Sequence, residues 1–366
     1  MRSRIVFIMA TGILSVTIAT HSVGLIGQGR QGPGIQAPAD AREPELLKSC
    51  KNPPPPAPAR GGGGGQGAAR GGEGRGARAN ADSGAKDVTS TEIPGVIAAG
   101  QKWKVLWMDE GNNNADGIVG LNDGSVLIAQ NDKSDVVKVD KDGKASVVAT
   151  DTNTGGTLGM NQKGELFVAA RGYQAAILQL APKRRIVANK YGPDNDWFDC
   201  IGGVLHDLSP DRKGGIYVAI GAPVLYIDPK GMTTRYGDEK LRGNGIILSP
   251  DEKRLYVTTG NSLIVFDVQA NGAIYNQREF AALEGGSGDG LAVDAAGRVY
   301  ASGNGIRVVD ANGKFLGTIP TPLNNTNTVA FGGADKKTLL AIARDNDKVE
   351  LVGIPMIAQG YKGRPK

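Results

Sequence analysis

The stretch DGIVGLNDGSVLIA, residues 116–129, holds an acidic residue, a short apolar strand, a tight turn at Asp123-Gly124 and a second apolar strand. Five more turns recur at intervals of about 40 to 50 residues: Lys163-Gly164, Lys213-Gly214, Asp251-Glu252, Ala296-Gly297 and Asp335-Lys336. Each introduces a comparable strand: SVLIA, ELFVA, GIYVA, RLYVT, RVYAS and TLLAI. Most repeats carry a second turn further on, at Asp142-Gly143, Pro182-Lys183, Lys230-Gly231, Asn271-Gly272 and Asn312-Gly313. Two hairpins per repeat make four strands, and a strand-built repeat of this length is a propeller blade. No long 3.6-residue apolar period separates the strands, which argues against an α/β fold. The expected fold is therefore all-β, a six-bladed β-propeller with four-stranded blades around a central channel. Strand-like segments at Trp103–Met108 and Val349–Pro355 are placed to pair and close the ring.

Counting back eight residues from Gly124, Gly214, Glu252 and Gly297 reaches Asp116, His206, Asn244 and Asp289. The same step from Gly164 reaches Gly156, and the sixth repeat, one residue longer at Gly332-Gly333, gives Asn327. Equivalent positions on the innermost strands of a propeller converge on its channel. One register thus gathers two carboxylates, an imidazole and amides at one channel end. Carboxylate and amide oxygens suit Ca²⁺, Mg²⁺ or Mn²⁺, and an imidazole shifts preference toward Mn²⁺ or Zn²⁺. Arg171 is a candidate for the channel mouth and the substrate. Asp207 is carried as a further substrate-site candidate, although its neighbour His206 faces the opposite side of the strand, so a bracing role is the stronger expectation.

The ends read differently. Residues 1–27 have the basic start, apolar run and small-residue cleavage triplet of a signal peptide. The alternative is an uncleaved segment tethering the chain to a membrane. Residues 28–87 are rich in Pro, Gly and Arg and read as a disordered spacer. The propeller spans 88–360, and 361–366 form a tail. The expected location is periplasmic or secreted, with no stable membrane span after cleavage. Much of the net charge of +5 comes from the spacer, which lacks aromatic residues for stacking on bases, so no nucleic-acid partner is expected. In an exported chain the two cysteines, Cys50 and Cys200, are expected to pair. No nucleophile elbow or phosphate loop is present.

The phrases GNNNADGIVGLNDGSVLIAQ, GGVLHDLSPDRKGGIYVA, GNGIILSPDEKRLYVT, GDGLAVDAAGRVYAS and TNTVAFGGADKKTLLAI resemble the SMP-30/gluconolactonase/luciferin-regenerating-enzyme family over residues 91–360. The resemblance implies a six-bladed propeller with one divalent metal in the channel and, most often, hydrolysis of sugar lactones. Carried over singly, Asp116 matches the first ligand, usually a glutamate. Asn244 matches the amide ligand, and Asp289 the carboxylate ligand often given the base role. His206 stands where the family generally has an amide near the metal or its water. It is a candidate ligand and, with an unperturbed pKa of about 6.5, a second candidate base. Where some members carry an arginine just upstream of that amide, this chain has Val204 and Leu205. The expected function is a divalent-metal-dependent lactone hydrolase acting on a small-molecule lactone. The alternatives are another ester hydrolase or lyase at the same ion, or a non-catalytic ligand-binding propeller.

Overall fold

In the computed structural model the described residues are 40–53, 87–110, 114–221, 224–238, 240–322, 326–345 and 348–363. The expected signal segment 1–27, most of the spacer and the last residues of the tail lie outside them. The described chain forms a six-bladed propeller of four-stranded antiparallel sheets. The inner strands are Ala115–Gly120, Gly155–Met160, Asp207–Pro210, Gly243–Leu248, Leu291–Val293 and Thr326–Gly332. Each touches the next, and the last touches the first, so the ring is closed. Closure is made as the terminal segments lead one to expect. Lys104–Glu110 pairs antiparallel with Lys348–Pro355 as the outermost strand of the sixth blade, with Trp107 opposite Leu351.

Alternating side chains explain how the blades stack. Neighbouring residues on a strand point to opposite faces, so each inner strand feeds two different seams. Ile118 packs with Leu340, Ile342 and Leu351 of the sixth blade, whereas Val119 packs with Leu158, Leu166 and Val168 of the second. Ile246 faces Tyr217 and Ala219 of the third blade, and Ile247 faces Leu291 and Val299 of the fifth. The core is thus a set of apolar seams between blades rather than one central mass.

The turns have a common device. Asp140, Asn161, Asp211, Asp228, Asp294 and Asp310 each accept, through one side-chain oxygen, hydrogen bonds from the backbone N–H groups two and four residues ahead. The residue between those two donors is glycine each time, at positive φ such as 80° in Gly143, a conformation only glycine adopts without steric cost.

Within the stretch read as spacer, residues 40–53 carry structure. A short helix, Glu43–Lys48, leads to a disulfide between Cys50 and Cys200. The backbone N–H groups of Lys51 and Asn52 donate to the carboxylate of Asp196. Leu46 is buried, and the Arg42 guanidinium lies 4.2 Å from the centre of the Tyr173 ring. This strap rests on an insertion between the second and third blades, a small hairpin and the 3₁₀ turn Phe198–Ile201, which leads directly to His206.

Candidate active site

Every inner strand is interrupted at the same place. In the first, second and fourth blades two residues oppose one on the next strand: Asp116 and Gly117 fall between the pairs Ala115–Gln130 and Ile118–Ile128. Gly156 and Thr157 do so in the second blade, and Asn244 and Gly245 in the fourth. In the sixth blade Asn327 is the extra residue. The third and fifth show the same displacement in their backbone bonds, His206 N–H to Ala219 O and Asp289 N–H to Ser302 O. A β-bulge bends the strand and re-aims a side chain. The register read from the turns is therefore a ring of bulges, a feature that counting alone did not reveal.

The bulge explains the recurring glycine after the candidate residue. A Cβ on Gly117 would lie 2.4 Å from the backbone nitrogen of Leu158, and one on Gly245 would lie 2.1 Å from Asp289 O. The position after the channel residue faces the next blade at backbone contact. In the second and third blades, where it is threonine or aspartate, it bonds across the seam. Thr157 Oγ1 donates to Asp207 Oδ1 at 2.7 Å, and Asp207 Oδ2 accepts from Ile246 N–H at 3.0 Å. Asp207 thereby joins the second, third and fourth blades. It is a buried brace and does not line the substrate site. Thr258 and Ser302 serve similarly, donating to Asp289 O at 2.9 Å and Asn327 O at 3.0 Å.

Asp116, His206, Asn244 and Asp289 are each half-buried between buried neighbours on both sides, so each is the point at which its strand opens. Among the described residues the His206 imidazole and the Asn244 carboxamide make no hydrogen bond. Burial, followed by the positive charge of Arg171, lowers the His206 pKa to about 4 against the opposing pull of Asp116 and Asp207. The ring is therefore neutral across the physiological range. Asn327 is 6 % exposed, and its Oδ1 is buried without a hydrogen-bond donor, as is the neighbouring Thr326 Oγ1.

Arg171 is placed otherwise than expected. Its side chain is 2 % exposed and ion-paired to Asp116 Oδ2 at 2.9 Å. Its Nε donates to Leu205 O and its Nη2 to His206 O, both at 2.7 Å. With the Asn131 amide oriented to satisfy both its groups, Asn131 Oδ1 accepts from Arg171 Nη1 at 3.1 Å. A guanidinium so committed has little left for a substrate. The sequence signal was Gly156: a Cβ there would fall 1.9 Å from Arg171 Cζ, so the guanidinium fills the place of the missing second-blade side chain. Arg307, also fully buried, donates to the carbonyls of Gly286, Ser287 and Ser302, fixing the loop that delivers Asp289.

Among the described residues no group of three or more His, Cys, Asp or Glu side chains is close enough to hold a metal ion. Asp116, His206 and Asp289 do not form such a set by themselves. An oxygen-ligated ion would draw on the amides too. The unpartnered Asn244 and the orphaned Asn327 Oδ1 are donors of the kind a hard cation takes, so the residues present fit one.

A closed ring of bulged inner strands carrying acids, amides and an imidazole at one register defines a six-bladed propeller with a candidate site. Residues 197–343 match the SMP-30/Gluconolactonase/LRE-like region. It is 29 % identical over 149 residues to the 6-deoxy-6-sulfogluconolactonase of Pseudomonas putida, a match covering 38 % of this chain and 49 % of that protein. It is 27 % identical over 157 residues to pentonolactonase XacC of Haloferax volcanii, covering 39 % and 54 %. The matched stretches thus span about half the length of these relatives. A gluconolactonase of Xanthomonas campestris superimposes with a TM-score of 0.60 at 20 % identity, over 74 % of this chain and 95 % of that one, a likeness of fold.

Proposed function

We propose that this propeller hydrolyses a lactone at the bulged end of its channel, with a divalent cation as cofactor. The observation that carries the reading is the shared register of Asp116, His206, Asn244 and Asp289 on four of the six inner strands, each half-buried at an equivalent bulge. The similarity of the chain to two lactonases supports it. Asp116, Asn244 and Asp289 would hold the ion, which supplies polarisation of the lactone carbonyl and stabilises the oxyanion.

The residues of the chain divide the remaining work. Water attacks the carbonyl carbon, its proton passes to a base, and collapse of the tetrahedral adduct breaks the ring C–O bond. The ring oxygen takes up a proton and the product is a hydroxy acid. Burial holds the His206 pKa down to about 4, so its ring stays neutral and does not readily keep a proton. Its neutral, unbonded nitrogen is better suited to accept a hydrogen bond from the attacking water and orient it. Asp289, on the loop secured by Arg307, takes the proton.

The location belongs to the same proposal. The signal-like 1–27 and the Cys50–Cys200 disulfide support an exported chain, since disulfides persist in oxidising compartments.

The test is lactone hydrolysis by metal-stripped protein with Ca²⁺, Mg²⁺, Mn²⁺ or Zn²⁺ added back, over a panel of aldonolactones and aliphatic lactones. Turnover is expected to return with one ion and to fall by about 100- to 1000-fold in Asn244→Ala and Asp289→Ala, the loss typical of removing a group that stabilises the transition state. Metal binding without turnover on any lactone would move the assignment to another reaction at the same site.

A further inference from the structure

We infer that Arg171 is a positioning residue that takes over the role of the missing second-blade channel side chain, presetting Asp116 of the first blade and His206 of the third from between them. Three observations carry this. At the second-blade bulge the register falls on Gly156, and the space a side chain would enter is filled by the Arg171 guanidinium, with Cζ 1.9 Å from where a Cβ would be. The guanidinium contacts both neighbours of the gap, the Asp116 carboxylate on one side and the backbone oxygens of Leu205 and His206 on the other. Its side chain is 2 % exposed, so it acts on these groups and not on a substrate.

The chemistry of the fork makes this assignment specific. A planar guanidinium presents fixed donors in several directions at once, which the single ammonium of lysine cannot do. Here one plane joins a carboxylate oxygen, two backbone oxygens and the Asn131 amide. Asp116 is one methylene shorter than the glutamate of the family resemblance, and the ion pair constrains one of its oxygens. The other oxygen is left for the channel. The carbonyl of His206 is fixed by the same group, which holds the bulge that aims its ring. Gly156 is the permissive half of the device, since any side chain there would expel the guanidinium.

The kinetic part of this inference rests on the lactonase reading, and its test separates the two. Arg171→Gln and Gly156→Ala reach the same guanidinium in different ways, one by deletion and one by displacement with its charge intact. Each is compared with the wild-type full chain in steady-state kinetics, thermal melting and imidazole NMR. The chain has two histidines, so the His206 ring signals are assigned by their disappearance in His206→Gln. The expected result is a fall of about 10- to 100-fold in kcat, the usual loss when a group behind a ligand is removed. KM should stay within about twofold, because no substrate contact is lost, and the His206 ring signals should shift or broaden. Arg171→Lys should recover little. A raised KM with unchanged kcat would overturn the inference in favour of substrate binding. A lowered melting temperature with unchanged kcat and unchanged His206 signals would overturn it in favour of simple bracing. If the wild type hydrolyses no lactone, the functional reading fails by itself. The NMR comparison in metal-free protein then decides the positioning role, which undisturbed His206 signals would refute.

Discussion

The second and fourth blades solve the same problem in opposite ways. Both bulge at the same register of the inner strand. In the fourth, Asn244 is half-buried and Gly245 lies against the backbone of the fifth blade. In the second, the glycine comes first, at Gly156, and Thr157 bonds across the seam to Asp207. Reversing the order removes a side chain from the register position and leaves a hole, which an arginine just past the end of the adjacent strand fills. The bulge is thus a structural constant of the blade, whereas what it presents depends on where glycine is spent.

The contrast can be broken most sharply at Gly245. Its missing Cβ would sit 2.1 Å from Asp289 O, a backbone atom held in the ring, so Gly245→Ala should cost about 3 kcal/mol, the upper range for overpacking. At Gly156 the obstacle is a side chain that can swing away, so Gly156→Ala should lose clearly less stability while losing turnover. Equal urea midpoints for the two variants would abolish the distinction.

A second effect lies in the third blade, between them. Burial brings the His206 pKa down to about 4 in the folded protein from the ordinary 6.5. As pH drops through this window the unfolded chain takes up a proton that the native state refuses, so stability falls with falling pH. Metal-free protein should therefore lose roughly 2–3 kcal/mol between pH 6.5 and 4 through this residue. His206→Gln should flatten that part of the urea-midpoint profile. An unchanged slope would mean the ring is charged or hydrated in the native state.

The smallest effect is at Thr157. Thr157→Val keeps the shape and removes the donor to Asp207 Oδ1, which still accepts from its own following N–H at 2.9 Å. A loss of about 1 kcal/mol in chemical unfolding is expected. A loss near zero would show that the seam is held without the Thr157 hydroxyl.

Much of the fold was legible because its signals are local. The Asp-x-x-Gly turns specify hairpins through bonds two and four residues away, and apolar strands alternate between seams. The second turns and the terminal strand pairing followed from the same reading. The candidate register was legible for a related reason, since each bulge keeps a constant distance from its turn. What was not legible is how two residues are placed. Arg171 was expected at the channel mouth and is a buried partner of Asp116, and Asp207, expected chiefly to brace its own strand, joins three blades. Their partners lie on other blades, at sequence separations of 55 and 39 residues, beyond the reach of any local pattern.

Sequence alone determined the number of blades, the ring closure and the register of the channel residues, because turn chemistry and strand alternation act over a few residues. Only the tertiary structure decided which residues beside that register are consumed in holding the blades together. That division depends on backbone approaches between neighbouring blades, such as Gly245 against Asp289 O, and on the space beside Gly156. A side chain enters that space only once three blades have closed around it.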